Sequence, residues 1–358
     1  MTKRQIRCLT CIAVVMVSGL GAAAPSSGVA RHAVHPGESI QEAVNAAQPG
    51  DTIVISPGTY RESVLVTKAN LTLRGSGGGA TVIMPAPAAG AGAAAANTCA
   101  QAGNGICVTG TAAQTVDGVT IRSLTLSGFT KTAIWSSYTD RLTVRHVTAE
   151  KNGVWGIGQQ HSTRAMFRNN TVRESGDAGI FIANTVEEEG GATDTKGSTI
   201  ANNVLTDNRI GATVRRVRNL TVRGNEMTGN CAGLFVVGDE SKPAAGDMTV
   251  RGNEINENNK FCPATPRLPA LQGSGIVLTG SEATVVRNNT VLNNMGASPL
   301  SGGIVLFKSF VGATNTANVI KNNDVRGNKA ADLVNQGGGT GNTFLGNMCE
   351  ASEPAGMC

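Results

Sequence analysis

The side chains that could carry acid–base chemistry in this sequence lie mostly between positions 161 and 240. β-Elimination at a uronate needs a cation for the carboxylate, a base for the C5 proton and a donor for the leaving oxygen. Hydrolysis would instead use two carboxylates, and Asp177 with Asp239 is the available pair. We predict Arg215, Asp177, His161 and Asp239 as catalytic residues. The wider set of candidates is His161, Asp177, Glu187, Glu188, Glu189, Arg209, Arg215, Arg216, Asp239, Glu240 and Lys308.

Three carboxylates of this region, Asp177, Glu187 and Asp239, could also bind a calcium ion through their oxygen atoms. Other metals are less expected. The six cysteines that follow the predicted signal form no Cys-x-x-Cys motif, and the sequence contains no His-x-x-x-His motif. Its four histidines are His32, His35, His146 and His161. Calcium is therefore the cofactor that the residue types favour.

The elements that must position these residues are short repeated segments. Aligning the fragments FRNNTV, IANNVL, VRGNEM, VRGNEI, VRNNTV and IKNNDV produces two columns of asparagine. The first Asn column is Asn170, Asn203, Asn225, Asn253, Asn289 and Asn323; the second is Asn208, Asn230, Asn258, Asn294 and Asn328, preceded by Ser175. Buried asparagines at one position of every turn can hydrogen-bond to those above and below. We interpret both columns as structural.

After each pair of asparagines comes a glycine or alanine followed by an apolar strand, as in GIFI from Gly179 and GIVL from Gly275. The bare repeat is about 22–23 residues long, and its segments alternate with period two. A period of this length indicates stacked units that bury their apolar faces together. The sequence thus predicts an all-β solenoid of parallel strands, in which longer repeats carry insertions at residues 185–197, 239–247 and 259–272.

The second residue of each such strand should point outwards. This outward column is Trp135, Gly158, Phe181, Thr213, Phe235, Val277 and Val305. An apolar column on an open face has two explanations. The insertions could fold over it and form a second core, or Trp135, Phe181 and Phe235 could stack against sugar rings.

A basic column precedes the first Asn column: Arg74, Arg122, Arg145, Arg168, Ala201, Arg223, Arg251, Arg287 and Lys321. Stacked like charges repel unless they are matched or screened. One interpretation is a solvated edge whose aliphatic stems cover the neighbouring repeat, with ion pairs to Glu150, Glu174, Glu226, Glu254 and Glu257. The other is a track for an acidic polysaccharide, held through guanidinium–carboxylate forks.

Composition and cysteine content point to an exported protein. Residues 1–30 resemble a secretory signal, with Lys3, Arg4 and Arg7 before a short apolar run. Without these three cations, 27 basic residues face 25 acidic ones, so we expect no nucleic-acid partner. Six cysteines remain after the signal and allow 15 pairings. The short loops and the repeat favour Cys99–Cys107, Cys231–Cys262 and Cys349–Cys358.

The start of the mature chain predicts a cap for the solenoid. Residues 39–47 form an amphipathic helix, residues 52–56 a strand and residues 57–60 a turn. The segment SIQEAVNAAQPGDTIVISPGTYRE resembles the opening coil of the pectin-lyase-like, right-handed parallel β-helix proteins, and the repeated NNxV segments resemble their coils. The resemblance implies one β-helix over residues 34–348. With the signal read at residues 1–30 and the Cys349–Cys358 pair, the chain is divided into a signal, this β-helix and a disulfide-closed tail over 349–358.

That family includes lyases, hydrolases, epimerases and non-enzymatic proteins, so the resemblance implies a fold more firmly than an activity. We predict a monomeric, secreted protein with no membrane span after signal removal. It binds, and in one interpretation cleaves, an acidic polysaccharide on a lateral face, with elimination favoured over hydrolysis. The alternatives are a structural or adhesion protein and a periplasmic maturation factor. The sparse histidines argue against the exported β-helix protein that helps to mature the copper site of nitrous oxide reductase.

Overall fold

The computed structural model describes residues 28–87 and 97–358, and the expected right-handed parallel β-helix is confirmed. Each coil adds one strand to each of three long sheets. Sheet 1 contains 12 strands, sheet 2 contains 10 and sheet 3 contains 11. The paired strands of all three sheets are parallel.

The strands of sheet 1 are Arg31–Val34, Thr52–Ile55, Thr72–Arg74, Thr120–Arg122, Thr143–Arg145, Met166–Arg168, Thr193–Ala201, Val217–Arg223, Thr249–Arg251, Val285–Arg287, Val319–Lys321 and Thr343–Leu345. Those of sheet 2 are Gly58–Arg61, Thr81–Met84, Thr125–Ser127, Thr148–Glu150, Thr171–Arg173, Val204–Thr206, Glu226–Thr228, Glu254–Asn256, Thr290–Leu292 and Asp324–Arg326.

Sheet 3 consists of Val64–Val66, Ile106–Thr109, Ile134–Ser137, Ile157–Gln160, Ala178–Ala183, Ile210–Arg215, Ala232–Val237, Ser274–Thr279, Gly302–Phe307, Leu333–Asn335 and Ser352–Glu353. A separate pair is formed by Val116–Asp117 and Thr139–Asp140. Two helices, Ile40–Ala46 and Thr98–Gln101, complete the described elements.

The strand register follows the sequence repeat. In sheet 3, Ile180, Ala212, Leu234, Ile276 and Ile304 occupy one inward position and belong to a single core cluster that runs along the solenoid. Because side chains alternate between the two faces of a strand, the next residue of each strand points outwards. The outward column therefore stands in register on the outer face of sheet 3.

The Asn columns form the two turns that connect sheet 1 to sheet 2 and sheet 2 to sheet 3. Asn225 shows the pattern: its Nδ2 donates to the Ile200 carbonyl and to Asn253 Oδ1, while its Oδ1 accepts from the backbone and side-chain nitrogens of Asn203. The residue before each asparagine is left-handed, for example Asn202 and Asn288. Asparagine and glycine tolerate this conformation, which explains the recurring NN and GN pairs.

The two Asn columns end differently at the C-terminal side. The first continues from Asn323 to Asn347. The second ends at the buried Asp332, whose Oδ1 accepts from the backbone nitrogen and Nδ2 of Asn328. The other oxygen of Asp332 accepts from the backbone nitrogens of Glu350 and Ala351. Asp332 thus joins the last repeat to the tail.

The cap differs from its prediction in one element. The helix occupies Ile40–Ala46, with Ser39 Oγ accepting from the Glu42 nitrogen at its start. Residues 57–60, predicted to be a turn, instead begin a strand, Gly58–Arg61. Tyr60 decides this outcome because its ring is buried and its hydroxyl donates to the carbonyls of Val34 and Ser56. Burial of a large aromatic side chain outweighs the turn signal of Pro-Gly.

All three predicted disulfides are present: Cys99–Cys107, Cys231–Cys262 and Cys349–Cys358. Disulfides are typical of exported proteins. Most of the predicted signal, residues 1–27, lies outside the described residues. Within 28–87 and 97–358, no helix is long and apolar enough to cross a bilayer.

Asp51 should make the N-terminal coil sensitive to acid. Its carboxylate bonds to His32 Nε2 and accepts from the backbone nitrogens of Gln48 and Ala30, and these contacts lower its pKa from 3.8 to about 2. A lowered carboxyl pKa stabilises the fold above the unfolded pKa, and the contribution is lost as the pH falls through the folded pKa. We expect the protection of the Arg31–Val34 amides against hydrogen exchange, relative to their intrinsic exchange rates, to fall between about pH 4 and pH 2. In Asp51→Asn the exchange should already be fast at pH 6, with no further step; an unchanged acid profile would contradict this role.

Candidate functional site

The insertions surround the outer face of sheet 3. Residues 185–197 and 239–247 leave sheet 3 strands at their C-terminal edge, whereas 259–272 enter at the N-terminal edge. The short helix Thr98–Gln101 also precedes a sheet 3 strand, and Cys99 ties it to Cys107 on the outward column. The outer face of sheet 3 is therefore the walled face of the solenoid.

An aromatic stack lies on this face. Trp135 stacks on Trp155 with ring centroids 5.6 Å apart, and Trp155 stacks on Phe181 at 4.3 Å. The guanidinium of Arg215 lies 5.4 Å from the Phe181 ring centroid and continues the stack. Trp135 and Trp155 are the only two tryptophans of the chain.

Gly158 makes the stack continuous. It stands in the outward column between Trp135 and Phe181 and leaves an empty position there. The Trp155 indole fills that position: a Cβ atom added to Gly158 would lie 2.9 Å from Trp135 Cε3 and 3.0 Å from Trp155 Cε3. Trp155 was missed in the sequence because it precedes its strand and falls outside the column. Trp155 could have been recognised in the sequence because it lies one coil after Trp135 and close to Gly158, the position in the outward column that has no side chain.

The stack opens onto a groove of about 320 Å³. We call it the aromatic groove, and it is lined by Ala102, Asn104, Lys131, Thr132, Trp135, Val154, Trp155, Gln160, Val186 and Glu187. The lining thus combines two half-buried indole faces with a cation, a carboxylate and several amide or hydroxyl groups. Its shape is open, as an extended ligand requires.

Two of the predicted catalytic residues support the groove. Asp177 Oδ2 accepts a hydrogen bond of 2.9 Å from Trp155 Nε1 and so fixes the indole. Arg215 donates from one nitrogen to the carbonyls of Thr185 and Val186, which holds the wall at 185–197 in place. Burial lowers the pKa of Arg215, and the nearby cations Arg216 and Arg267 lower it further. Neither residue is among those lining the groove.

The remaining predicted residues are spread along the walls. Asp239 is buried and forms an ion pair with Arg216, which also contacts Glu189 and the Glu188 carbonyl. Arg209 donates to the carbonyls of Pro263 and Pro269 under the third insertion. His161 stacks on Tyr138 with centroids 4.7 Å apart, beside the groove residue Gln160. The charged candidates thus mainly join the insertions to the solenoid.

The structure separates the residues proposed for calcium and for a carboxylate pair. Asp177 lies at the N-terminal edge of sheet 3 and Asp239 at the C-terminal edge, with strands of six residues, or about 20 Å, between the edges. A pair of catalytic carboxyl groups lies about 5–10 Å apart. Among the described residues, no three His, Cys, Asp or Glu side chains are grouped to hold a metal ion. Asp177, Glu187 and Asp239 therefore form neither site.

The predicted stacking residues also differ in their exposure. Trp135 opens onto the aromatic groove, but Phe181 is 4% exposed and Phe235 is 2% exposed. Phe181 is covered by Trp155, as described above. Phe235 belongs to a second core formed with Val277, Val305, Leu271 and the Cys231–Cys262 disulfide. Leu271 of the insertion at 259–272 and Leu300 of a later loop therefore belong to the cluster that buries the outward column from Phe235 onwards, whereas the end near Trp135 is open.

Two family models match parts of the sequence. A right-handed β-helix region model matches residues 92–247, and a model described as periplasmic copper-binding protein (NosD) matches residues 184–357. The histidines and cysteines of the described residues do not form a copper centre. His32 contacts Asp51 and His35 contacts Ser56, whereas His146 contacts Arg145 and His161 packs on Tyr138. All six cysteines outside residues 1–27 are in disulfides. A search of curated protein sequences finds no match.

Solved structures resemble the whole solenoid. A DFA-IIIase from Arthrobacter chlorophenolicus is 15% identical with a TM-score of 0.60, covering 90% of this chain and 86% of that one. The A-module of mannuronan C-5 epimerase AlgE4 from Azotobacter vinelandii is 18% identical with a TM-score of 0.56, covering 86% and 88%. An alginate lyase from Paenibacillus is 15% identical with a TM-score of 0.54, covering 82% and 94%. Taken with the three parallel sheets, these matches show that the chain has the right-handed parallel β-helix fold.

Proposed function

We propose that this protein binds a carbohydrate polymer in the aromatic groove on sheet 3. The observation that carries the proposal is the placement of both tryptophans of the chain in one groove. Aromatic faces offer large, rigid contact areas. The C–H faces of sugar rings pack on such surfaces, while sugar hydroxyls need polar partners at the edges.

The polar rim fits such a ligand. Lys131, Glu187 and Gln160 line the groove together with Asn104 and Thr132. Gln160 is itself fixed, because its Oε1 accepts from the Val186 nitrogen and its Nε2 donates to Ser137 Oγ. A few fixed polar groups around an apolar floor are typical of small-molecule and sugar sites. The open ends of the groove suit an internal segment of a polymer.

The similar structures support the same ligand class. Their names state a mannuronan epimerase, an alginate lyase and, with 12% identity and a TM-score of 0.56, an α-1,3-glucanase. These likenesses concern the fold. The argument for carbohydrate binding by this chain rests on the residues that line the aromatic groove.

For cleavage, the lining favours elimination over hydrolysis. Glu187 is the one carboxylate among the lining residues, and Asp177 is bonded to Trp155, so the two carboxyl groups of a hydrolase are not both available. Lys131 can neutralise a uronate carboxylate, which is the first requirement of elimination. An acidic polysaccharide is therefore the substrate class that we propose for any turnover.

A non-catalytic role is the second candidate, and a maturation or scaffold function would belong to it. The NosD match over residues 184–357 favours this role, because that part of the chain carries the covered, apolar half of sheet 3. In both cases the disulfides favour work outside the cytoplasm, and we propose secretion as the destination.

Binding is tested with the purified protein against alginate, polygalacturonate, xylan and dextran, with and without Ca²⁺. At a salt concentration that suppresses purely electrostatic binding, we expect Trp135→Ala to weaken binding of the polymer about 30-fold, as for loss of a central aromatic contact of about 2 kcal/mol. Phe310→Ala is the matched control, since Phe310 is 65% exposed on a distant coil. Equal binding by both variants would exclude the aromatic groove.

Turnover is followed in the same mixtures by reducing ends and by the ultraviolet absorbance of unsaturated uronates. We expect the two signals to rise together for an acidic polymer. Reducing ends without absorbance would indicate hydrolysis. Binding without either signal would favour the non-catalytic role.

A further inference from the structure

The outer face of sheet 1 carries the basic column as one aligned row of cations. The strand register pairs Arg74 with Arg122, Arg122 with Arg145 and Arg145 with Arg168. After Ala201 the row continues through Arg223, Arg251, Arg287 and Lys321. With coils about 4.8 Å apart, eight steps from Arg74 to Lys321 span about 38 Å.

These cations lack the ion pairs that other arginines of the protein make. Arg141, Arg164, Arg173, Arg216, Arg218 and Arg326 all have a carboxylate oxygen within 4.0 Å. Across the described part of the chain, none of the eight cations of the basic column has such a partner. The glutamates considered as partners are placed elsewhere: Glu150 pairs with Arg173 on sheet 2, and Glu226 and Glu254 are exposed beyond the Asn turn.

The row therefore repels itself in the free protein. Burial lowers the pKa of Arg122, and the cations Arg145 and Arg74 on either side lower it further. Arg168 also has a buried Nε with no hydrogen-bond partner. Unmatched like charges in a regular row destabilise a fold unless an external anion balances them. An elongated polyanion could neutralise the cations of all these coils at the same time.

The neighbouring side chains fit a sugar polymer. A second outward row on sheet 1 runs beside the cations, two residues earlier in each strand, and most of its members are threonines: Thr72, Thr120, Thr143, Thr199, Thr221 and Thr249. No aromatic side chain occupies either outward row. Single-stranded nucleic acids are held by base stacking on aromatic rings, and duplex DNA presents two charged strands with one charge per about 1.7 Å of axis. Neither matches a single straight row of widely spaced cations.

We propose that the outer face of sheet 1 binds a linear anionic polysaccharide lengthwise, with one acidic sugar residue opposite each coil. A polyuronate has one carboxylate per sugar, and the length of a pyranose residue is close to the rise of one coil. Guanidinium groups pair with carboxylates through parallel hydrogen bonds, and threonine hydroxyls can bond to ring hydroxyls. This site is separate from the aromatic groove, which lies on sheet 3, and it does not depend on the function proposed there.

The test compares two triple variants of the full chain. Arg145→Gln, Arg168→Gln and Arg223→Gln remove three cations of the basic column, whereas Lys151→Gln, Lys196→Gln and Lys329→Gln remove three exposed cations elsewhere. Binding to polygalacturonate is measured at several salt concentrations. We expect the basic-column variant to bind at least tenfold more weakly at low salt. We also expect its slope of log K against log salt to be smaller by about 2, as for three released counterions. The surface-lysine variant should behave like the wild type.

Folding and identity of the site are checked in the same samples. The basic-column variant should keep the β-type circular dichroism spectrum and should not melt earlier, because it loses repulsion. Trp135→Ala should retain polygalacturonate binding by the basic column, so failure of the groove and failure of the row are distinguishable. Equal binding by the two triple variants would overturn the proposal, as would tighter binding of single-stranded DNA than of polygalacturonate at equal salt.

Discussion

Replacing Asn225 by alanine is expected to lower the free energy of unfolding by about 4 kcal/mol. Removing the amide leaves the backbone nitrogen and Nδ2 of Asn203 without their acceptor, and it removes a donor from the Ile200 carbonyl. All three groups lie in the interior, where each unmet hydrogen bond costs about 1–3 kcal/mol. Urea unfolding measures the change; a loss below about 1 kcal/mol would contradict the structural role of the column.

Ser175→Asn is the matched opposite change. Ser175 occupies the second Asn column, but it offers no amide oxygen to the preceding coil. Its hydroxyl and Asn152 Nδ2 are both buried without a partner. The backbone nitrogen of Ser175 already donates to Asn208 Oδ1 as an asparagine there would. We expect Ser175→Asn to raise the unfolding free energy by about 1 kcal/mol by completing the column.

Gly158→Val should remove carbohydrate binding by the aromatic groove almost completely, as measured at a salt concentration that suppresses binding by the basic column. The new side chain would occupy the position that the Trp155 indole now fills, and its Cβ alone approaches Trp135 within 2.9 Å. Both indoles must turn away, and the Asp177–Trp155 hydrogen bond is lost with them. Loss of two aromatic contacts corresponds to at least a 100-fold fall in affinity. Retention on the polymer, with near-ultraviolet circular dichroism of the tryptophans, measures both effects.

Thr213→Val is the control for this change because Thr213 stands in the same outward column. Its hydroxyl is buried without a hydrogen-bond partner, so an isosteric methyl group should be tolerated without loss. Unchanged binding by Gly158→Val in a folded protein would mean that the stacked tryptophans do not contact the ligand.

The solenoid could be predicted from the sequence because the signals for it are periodic. The Asn columns, the inward residues and the basic column recur in most coils, and parallel pairing places equivalent residues side by side. The strand at Gly58–Arg61 was missed because a local Pro-Gly signal hid a tertiary effect, the burial of Tyr60.

The aromatic groove was harder to predict from the sequence because its walls depend on the paths that the insertions take. No periodicity indicates that residues 259–272 cross over Phe235, or that residues 185–197 are held by Arg215. The type of a side chain also conceals its role: Asp177 has the chemistry of a general acid but supports an indole. Trp135 was identified because it belongs to the repeat, and Trp155 was missed because it does not.

The end of the second Asn column at Asp332 gives the solenoid an electrical polarity. Each amide oxygen in the column accepts from the preceding coil, and each Nδ2 donates one hydrogen to the amide oxygen of the next coil and the other to a backbone carbonyl of the preceding coil. The amides therefore share one orientation along the axis, and their dipoles add. The positive end of this row meets a carboxylate rather than another amide. A second copy placed end to end would find the last donors of this column already taken, so Asp332 both neutralises the dipole and prevents the column from continuing into a second copy.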